Sequence, residues 1–157
     1  MLPQRINLIA YSTLAVIICY IDRVNISVAI IPMQEQFGWS DSQVGFIFSS
    51  FYLGYMLTMA LGGYLSDKFG GKRVLGWGVV LWSIFTILTP LAAHNGFFAL
   101  FFIRVLMGIG EGVTFPAWHS LYARWIPFNE RTRAIAFTNS GISIGTIIGY
   151  IGTQMII

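Results

Sequence analysis

The sequence predicts an all-α membrane protein, a bundle of five transmembrane helices, and three observations carry that reading. The 157 residues are 56% hydrophobic and only 10% charged, against about 25% charged in soluble domains. The mean hydropathy is +0.73. The apolar residues gather in five runs, at residues 6–31, 44–65, 74–91, 97–122 and 134–157. Each is close to the roughly 20 residues that cross a bilayer as a helix. Barrel strands need only about 10 alternating residues, and these runs are longer and continuous, which argues against strands.

The elements follow in order. The first run is too long for a cleavable signal core, and Asp22 and Arg23 interrupt it, so it reads as a retained helix. Pro32 is expected to end it, with Gly38 and Trp39 in a short polar loop. Ser40, with Gln43 three residues on, reads as a capping box that opens the second span. Lys68, Lys72 and Arg73 mark the loop before the third span, and Asn95-Gly96 the turn before the fourth. Pro127 and Asn129 separate the fourth span from the fifth, in which Gly141, Gly145 and Gly149 recur every four residues and permit close helix packing. Cys19 is the single cysteine, so neither a disulfide framework nor a cysteine metal site is available.

The basic residues give the orientation. Arg5, Lys68, Lys72, Arg73, Arg124, Arg131 and Arg133 all fall on one side, whereas the loop at 32–43 and the turn near His94 contain no Lys or Arg. The positive-inside rule puts the N-terminus in the cytoplasm and the end of the fifth span outside. The net charge of +3 is therefore a topology signal and needs no nucleic-acid partner.

Four charges lie inside the apolar runs: Asp22 and Arg23 in the first, Arg104 and Glu111 in the fourth. Each costs roughly 2.5–3.5 kcal/mol near the bilayer centre, on the order of 10 kcal/mol together if unpaired. Arg104 and Glu111 are seven residues apart, which puts them on one helix face about 10 Å from each other. Gly108 and Gly112 fall on or beside that face and are expected to leave open space for a ligand. Asp22 and Arg23 diverge by about 100° and must find different partners. Asp22 and Arg104 sit at similar depth, roughly 10–14 Å in. One reading is structural, with Asp22–Arg104 or Arg23–Glu111 ion pairs pinning two helices. The other is a polar cavity whose bases hold an anion and whose acids carry protons. Apolar residues usually pin helices at lower cost, which favours the second.

Several local patterns then point to one family. Gly63, Asp67, Lys68, Gly70, Lys72 and Arg73 match G-x-x-x-D-[RK]-x-G-x-[RK]-[RK], and Arg104, Gly108 and Gly110 match R-x-x-x-G-x-G. The first pattern resembles the loop between the second and third helices of the major facilitator superfamily, the second a motif in its fourth helix. Ile21 to Asn25 and the segment from Arg124 to Ala134 narrow the resemblance to the anion:cation symporter family, which includes sugar-acid, sialate, vesicular glutamate and phosphate carriers. The resemblance runs over essentially the whole chain.

It implies a twelve-helix carrier of which residues 1–157 supply a partial N-terminal domain of about five helices, with the C-terminal half as the missing partner. It implies secondary active transport of a small organic anion, a sugar acid or other carboxylate, by proton-coupled symport. Inorganic phosphate is the alternative substrate and sodium the alternative coupling ion, with no other cofactor and no enzyme activity. The matching family roles make Arg23 and Arg104 substrate anchors and Asp22 and Glu111 proton-coupling acids. Tyr55 faces the substrate or fills space between helices, and Tyr20 and Tyr52 are candidates of the same kind. His119, eight residues after Glu111, is either a proton relay or a hydrogen-bonded interfacial histidine. Gly63, Asp67, Lys68, Gly70, Lys72 and Arg73 form a conformational latch, and the glycine stripe of the fifth span is expected to face the second half. The expected location is the cell membrane, inner or plasma, as a multi-pass protein.

Rival classes have less support. No metal-ligand cluster, serine–histidine–acid set or nucleotide loop speaks for an enzyme. A channel or a non-transporting assembly protein would be told apart by non-saturating flux or by no flux.

Overall fold

The computed structural model describes residues 2–155 as six helices: α1 Leu2–Phe37, α2 Asp41–Phe69, α3 Gly71–His94, α4 Phe97–Gly112, α5 Thr114–Trp125 and α6 Phe128–Gln154. Among the described residues, five stretches are long and apolar enough to cross a membrane, with Phe97–Trp125 counted as the fourth. The chain is of the multi-pass membrane type. The helices overrun the apolar runs at most ends. Apolar residues mark the hydrocarbon layer alone, whereas a helix continues through the interface until a cap satisfies its terminal groups.

Pro32 does not end the first helix; it lies inside α1. A proline removes one backbone donor, and here the helix continues five residues further, to Phe37. Gly38 then takes φ +65°, and the Trp39 N–H donates back to the Gln34 carbonyl at 3.2 Å. That six-residue closure is the glycine-dependent helix ending known as the Schellman motif. Ser40 caps α2 in a capping box with Gln43. Gly70, at φ +88°, is the one residue between α2 and α3. The left-handed region that a turn this short requires is open to glycine at little cost.

The fourth span is two helices rather than one, broken at Val113. Pro116 cannot donate to the Gly112 carbonyl, and its ring crowds that group, so continuous α-helix fails there.

The chain divides into two compact units, Ile30–Ser120 and the remainder up to Ala29 and from Leu121 onward. In the first, α4 packs closely on both α2 and α3, which touch each other only sparsely. Glycines make this possible. A Cβ on Gly54 would overlap the Val105 carbonyl oxygen, and one on Gly110 would come within 2.8 Å of the Trp82 nitrogen. Ile30, Trp39, Ile47 and Leu100 form a buried cluster toward one end, and Phe51, Trp82 and Met107 another.

In the other unit the stripe Gly141, Gly145 and Gly149 lies against α1. Their positions face Thr13, Ile17 and Val24, and a Cβ on Gly145 would come within 2.5 Å of the Ile17 carbonyl oxygen. The stripe therefore packs the first helix on the last described one, and the expectation that it faces a second half is corrected. The buried hydroxyls of Tyr122 and Thr138 meet at 2.5 Å, and Thr13 lies 3.5 Å beyond Thr138. Thr13 in turn donates to the Ile9 carbonyl at 2.8 Å. Arg131 closes the end of α5, donating from Nη2 to the Ala123 carbonyl and from Nε to the Ile126 carbonyl. Arg5 and Glu130 approach to 3.7 Å at the exposed surface.

Candidate functional site

The Ile30–Ser120 unit holds Arg104, Glu111 and Tyr55. Arg104 is 4% exposed and Glu111 fully buried, so α4 carries an acid and a base in its interior face. The Arg104 guanidinium stands 5.0 Å from the centroid of the Phe51 ring. Its Nη1 donates to the Met107 sulfur at 3.2 Å. A cation held over an aromatic face is stabilised by about 0.5–2 kcal/mol, more as water is excluded. Tyr55, half-buried, stacks against the same residue, its ring 5.8 Å from that of Phe51. Phe51 thus joins two of the predicted site residues.

Gly108 and Gly112 share the Arg104–Glu111 face but do not open space for a ligand. A Cβ on Gly108 would overlap the Phe51 carbonyl oxygen, and one on Gly112 the Thr58 hydroxyl. These glycines let α4 lie directly on α2. The periodicity that placed them on the charged face is right, and the inference that small means empty is not.

Phe51 and Met107 were absent from the sequence-derived set. Met107 follows Arg104 by three residues, a spacing that puts two helical side chains in reach, so it was findable. Nothing local marks Phe51, because its relation to Arg104 exists only across the α2–α4 contact.

Asp67 lies exposed in the last turn of α2 and accepts a hydrogen bond from the Ser120 hydroxyl of α5 at 3.3 Å. Lys68 stands 5.7 Å from the Tyr64 ring and 5.4 Å from the Phe69 ring. Lys72 and Arg73 are exposed in the first turn of α3. Gly63 has nothing within 4 Å of where a Cβ would sit. His119 is exposed and stacks on Trp118, with ring centroids 3.7 Å apart. Its Nδ1–H donates to the Phe115 carbonyl at 2.8 Å, since a carbonyl can only accept. The eight-residue spacing from Glu111 crosses the break at Val113, so straight-helix geometry does not align the two.

In the other unit, Asp22 and Arg23 are half-buried on α1. Arg23 stands 5.1 Å from the Tyr20 ring, which repeats on α1 the cation-over-aromatic arrangement of Arg104. The Thr153 hydroxyl donates to Asn25 Oδ1 at 3.3 Å, joining the segment after Arg23 to α6. Among the described residues no group of His, Cys, Asp and Glu is placed to hold a metal ion.

Known proteins match this arrangement in sequence and in fold. The chain is 47% identical over 99% of its length to "Probable anion transporter 4, chloroplastic" of Oryza sativa subsp. japonica, covering 26% of that protein. It is 46% identical over 99% of its length to the "Ascorbate transporter, chloroplastic" of Arabidopsis thaliana, covering 29% of it. Over 94% of its length it is 46% identical to "Sodium-dependent phosphate transport protein 1, chloroplastic" of the same plant, again covering 29%. The chain thus spans less than a third of the length of these relatives. A bacterial homolog of the human lysosomal transporter Spinster, in an inward-facing and unoccupied conformation, superposes with a TM-score of 0.87. That match has 29% identity and covers 94% of this chain and 30% of the other. The sequence profile of the Major Facilitator Superfamily matches residues 12–157, nearly the entire chain and a range that includes Asp22, Arg23, Arg104 and Glu111: the chain belongs to the Major Facilitator Superfamily.

Proposed function

We propose that these helices serve secondary active transport of a small organic anion, a sugar acid or other carboxylate, by proton-coupled symport. The observation that carries the reading is Arg104, a cation buried on α4 with Glu111 buried two turns further along the same helix. A fixed, planar guanidinium is suited to holding a carboxylate through two parallel hydrogen bonds. A buried acid on the same face is suited to carrying the coupled proton. The names of the relatives, anion and ascorbate transporters among them, support an anionic substrate. Arg23 and Tyr55 complete the proposed binding set, and Asp22 is the second coupling acid. Gly63, Asp67, Lys68, Gly70, Lys72 and Arg73 set the conformational equilibrium. Membership of a transporter superfamily speaks for transport over catalysis.

A second reading has its own support. One relative is named a sodium-dependent phosphate transport protein, and paired arginines suit phosphate as well as carboxylate. Uptake into proteoliposomes containing the entire protein that carries this sequence separates the two. Saturable accumulation of labelled carboxylates driven by a proton gradient supports the first reading. Sodium-driven phosphate uptake with carboxylates excluded replaces it with the second, and absence of flux for either rejects transport of these anions.

The proposed orientation has the start of α1 on the cytoplasmic side, from the seven basic residues on that side. Cysteines introduced at Ser42 and Asn129 test it: outside label should reach position 42 alone, and the reverse pattern refutes it. The relatives are named chloroplastic, so membrane fractionation decides between the cell membrane and a plastid membrane.

A further inference from the structure

A cleft of about 330 Å³ opens between α2 and α3, floored by α4. It exists because α2 and α3 each pack on α4 and little on each other. Gly78 seats α3 so close to α4 that a Cβ there would come within 2.8 Å of the Gly110 carbonyl oxygen. The lining is almost wholly apolar, with Leu65, Trp77, Leu81 and Val113 among the walls. Arg73 is the one charged residue in it. No acid or carbonyl among the described residues takes up its exposed guanidinium.

The dimensions and charge together describe an occupant. Arg73, Trp77 and Leu81 follow at four-residue intervals on one face of α3, and eight residues of helix span about 12 Å. A leaflet of a hydrocarbon core about 30 Å thick is roughly 15 Å deep. The cleft thus runs most of one leaflet from a cation at its mouth. Trp77 is 69% exposed, one turn inside Arg73, where aromatic side chains settle at the membrane interface. Basic pockets between transmembrane helices on the cytoplasmic side are where anionic headgroups bind.

We propose that this cleft is a binding site for an anionic glycerophospholipid, with one acyl chain between α2 and α3 and the phosphate on Arg73. The lipid fills the gap that the α2–α3 pair leaves open and holds the beginning of α3 at the membrane surface. The site is separate from the proposed anion site on α4; it shares Arg73 with the proposed conformational loop and rests on the proposed orientation.

The test uses the entire protein in nanodiscs of phosphatidylcholine containing a minor fraction of phosphatidylglycerol, with retained lipid identified by native mass spectrometry. One phosphatidylglycerol should be retained in preference to phosphatidylcholine. Arg73→Gln should lower that preference about tenfold, the expected size for losing charge-assisted hydrogen bonds to phosphate. Lys72→Gln removes the same charge one residue away, outside the cleft, and should leave it unchanged. Leu65→Trp fills the apolar part without touching Arg73 and should also abolish retention. Equal losses in Arg73→Gln and Lys72→Gln would reduce the effect to general surface charge and overturn the site. Retention undiminished in Leu65→Trp would overturn the acyl-chain slot. Each variant is first checked for monodispersity, and the two cleft variants probe the headgroup and the chain separately. A cysteine at Leu81 that reacts with a bilayer-dissolved maleimide supports the proposal. One that crosslinks instead to another part of the protein gives the cleft to a helix and overturns it.

Discussion

Arg104 and Phe51 are joined twice: the guanidinium lies over the ring at 5.0 Å, and one turn on, Gly108 rests against the Phe51 carbonyl. A single residue of α2 thus contributes both to the close approach of the two helices and to the surface on which the buried cation lies. Packing and the candidate site are coupled through it.

The packing half of that relationship gives a contrast between two glycines. Gly108→Ala must push α4 away from α2, because the atom it meets is backbone and cannot rotate aside. Overpacking of this kind costs about 1–3 kcal/mol. Gly76→Ala has nothing within 4 Å of the new Cβ and should gain about 0.5–1 kcal/mol from helix propensity. Thermal unfolding in detergent should lower the midpoint for the first and hold or raise it for the second. Equal effects would show that α2 and α4 are not in backbone contact.

Arg104→Lys keeps the charge and loses the planar fork. Insertion and expression should be normal, while the KM for the transported anion rises about tenfold or more. Unchanged KM and turnover in that variant would remove Arg104 from the binding set.

Glu111→Gln fixes the acid in the shape of its protonated form. Under proton symport the variant should lose gradient-driven accumulation and retain exchange of labelled for unlabelled anion. Persisting proton-driven accumulation would transfer the coupling role to Asp22 or to residues outside this chain.

Asp67 and Ser120 separate charge from hydrogen bond at the end of α2. Asp67→Asn keeps an oxygen that accepts from the Ser120 hydroxyl, so it tests the charge; Ser120→Ala removes the bond and leaves the charge. Asp67→Asn should slow turnover with little change in KM, and Ser120→Ala should have the smaller effect. A large rise in KM at unchanged turnover would place Asp67 in binding instead.

Tyr122→Phe removes one member of the Tyr122–Thr138 pair and leaves a buried hydroxyl short of a partner. The expected cost is about 1–3 kcal/mol. Its effect on anion affinity should be nil, since the pair holds α5 to α6 and is not in the proposed site. A change in KM without a change in thermal stability would contradict that.

Some of this is legible residue by residue along the chain, and some is not. The five spans, the Ser40–Gln43 cap and the Asn95-Gly96 turn follow from local preferences, because a helix end or an apolar run depends on residues within a few positions and on the surrounding solvent. The shared face of Arg104, Gly108 and Glu111 follows in the same way from 3.6-residue periodicity. The meaning of that face does not. Whether Gly108 opens a pocket or admits a neighbouring backbone depends on what lies across from it, and only the packing of α2 on α4 decides that. The same holds for the stripe from Gly141 to Gly149, whose spacing announces a close contact but not that α1 supplies it. Pro32 and Pro116 make the point within single helices. Both remove a backbone donor, yet α1 continues through Pro32 to a glycine ending while the fourth span breaks at Val113 ahead of Pro116. Each proline removes one backbone donor and crowds the preceding turn, which disfavours a continuous helix at both sites, so the residue type alone does not say which helix continues and which breaks; the folded chain shows it.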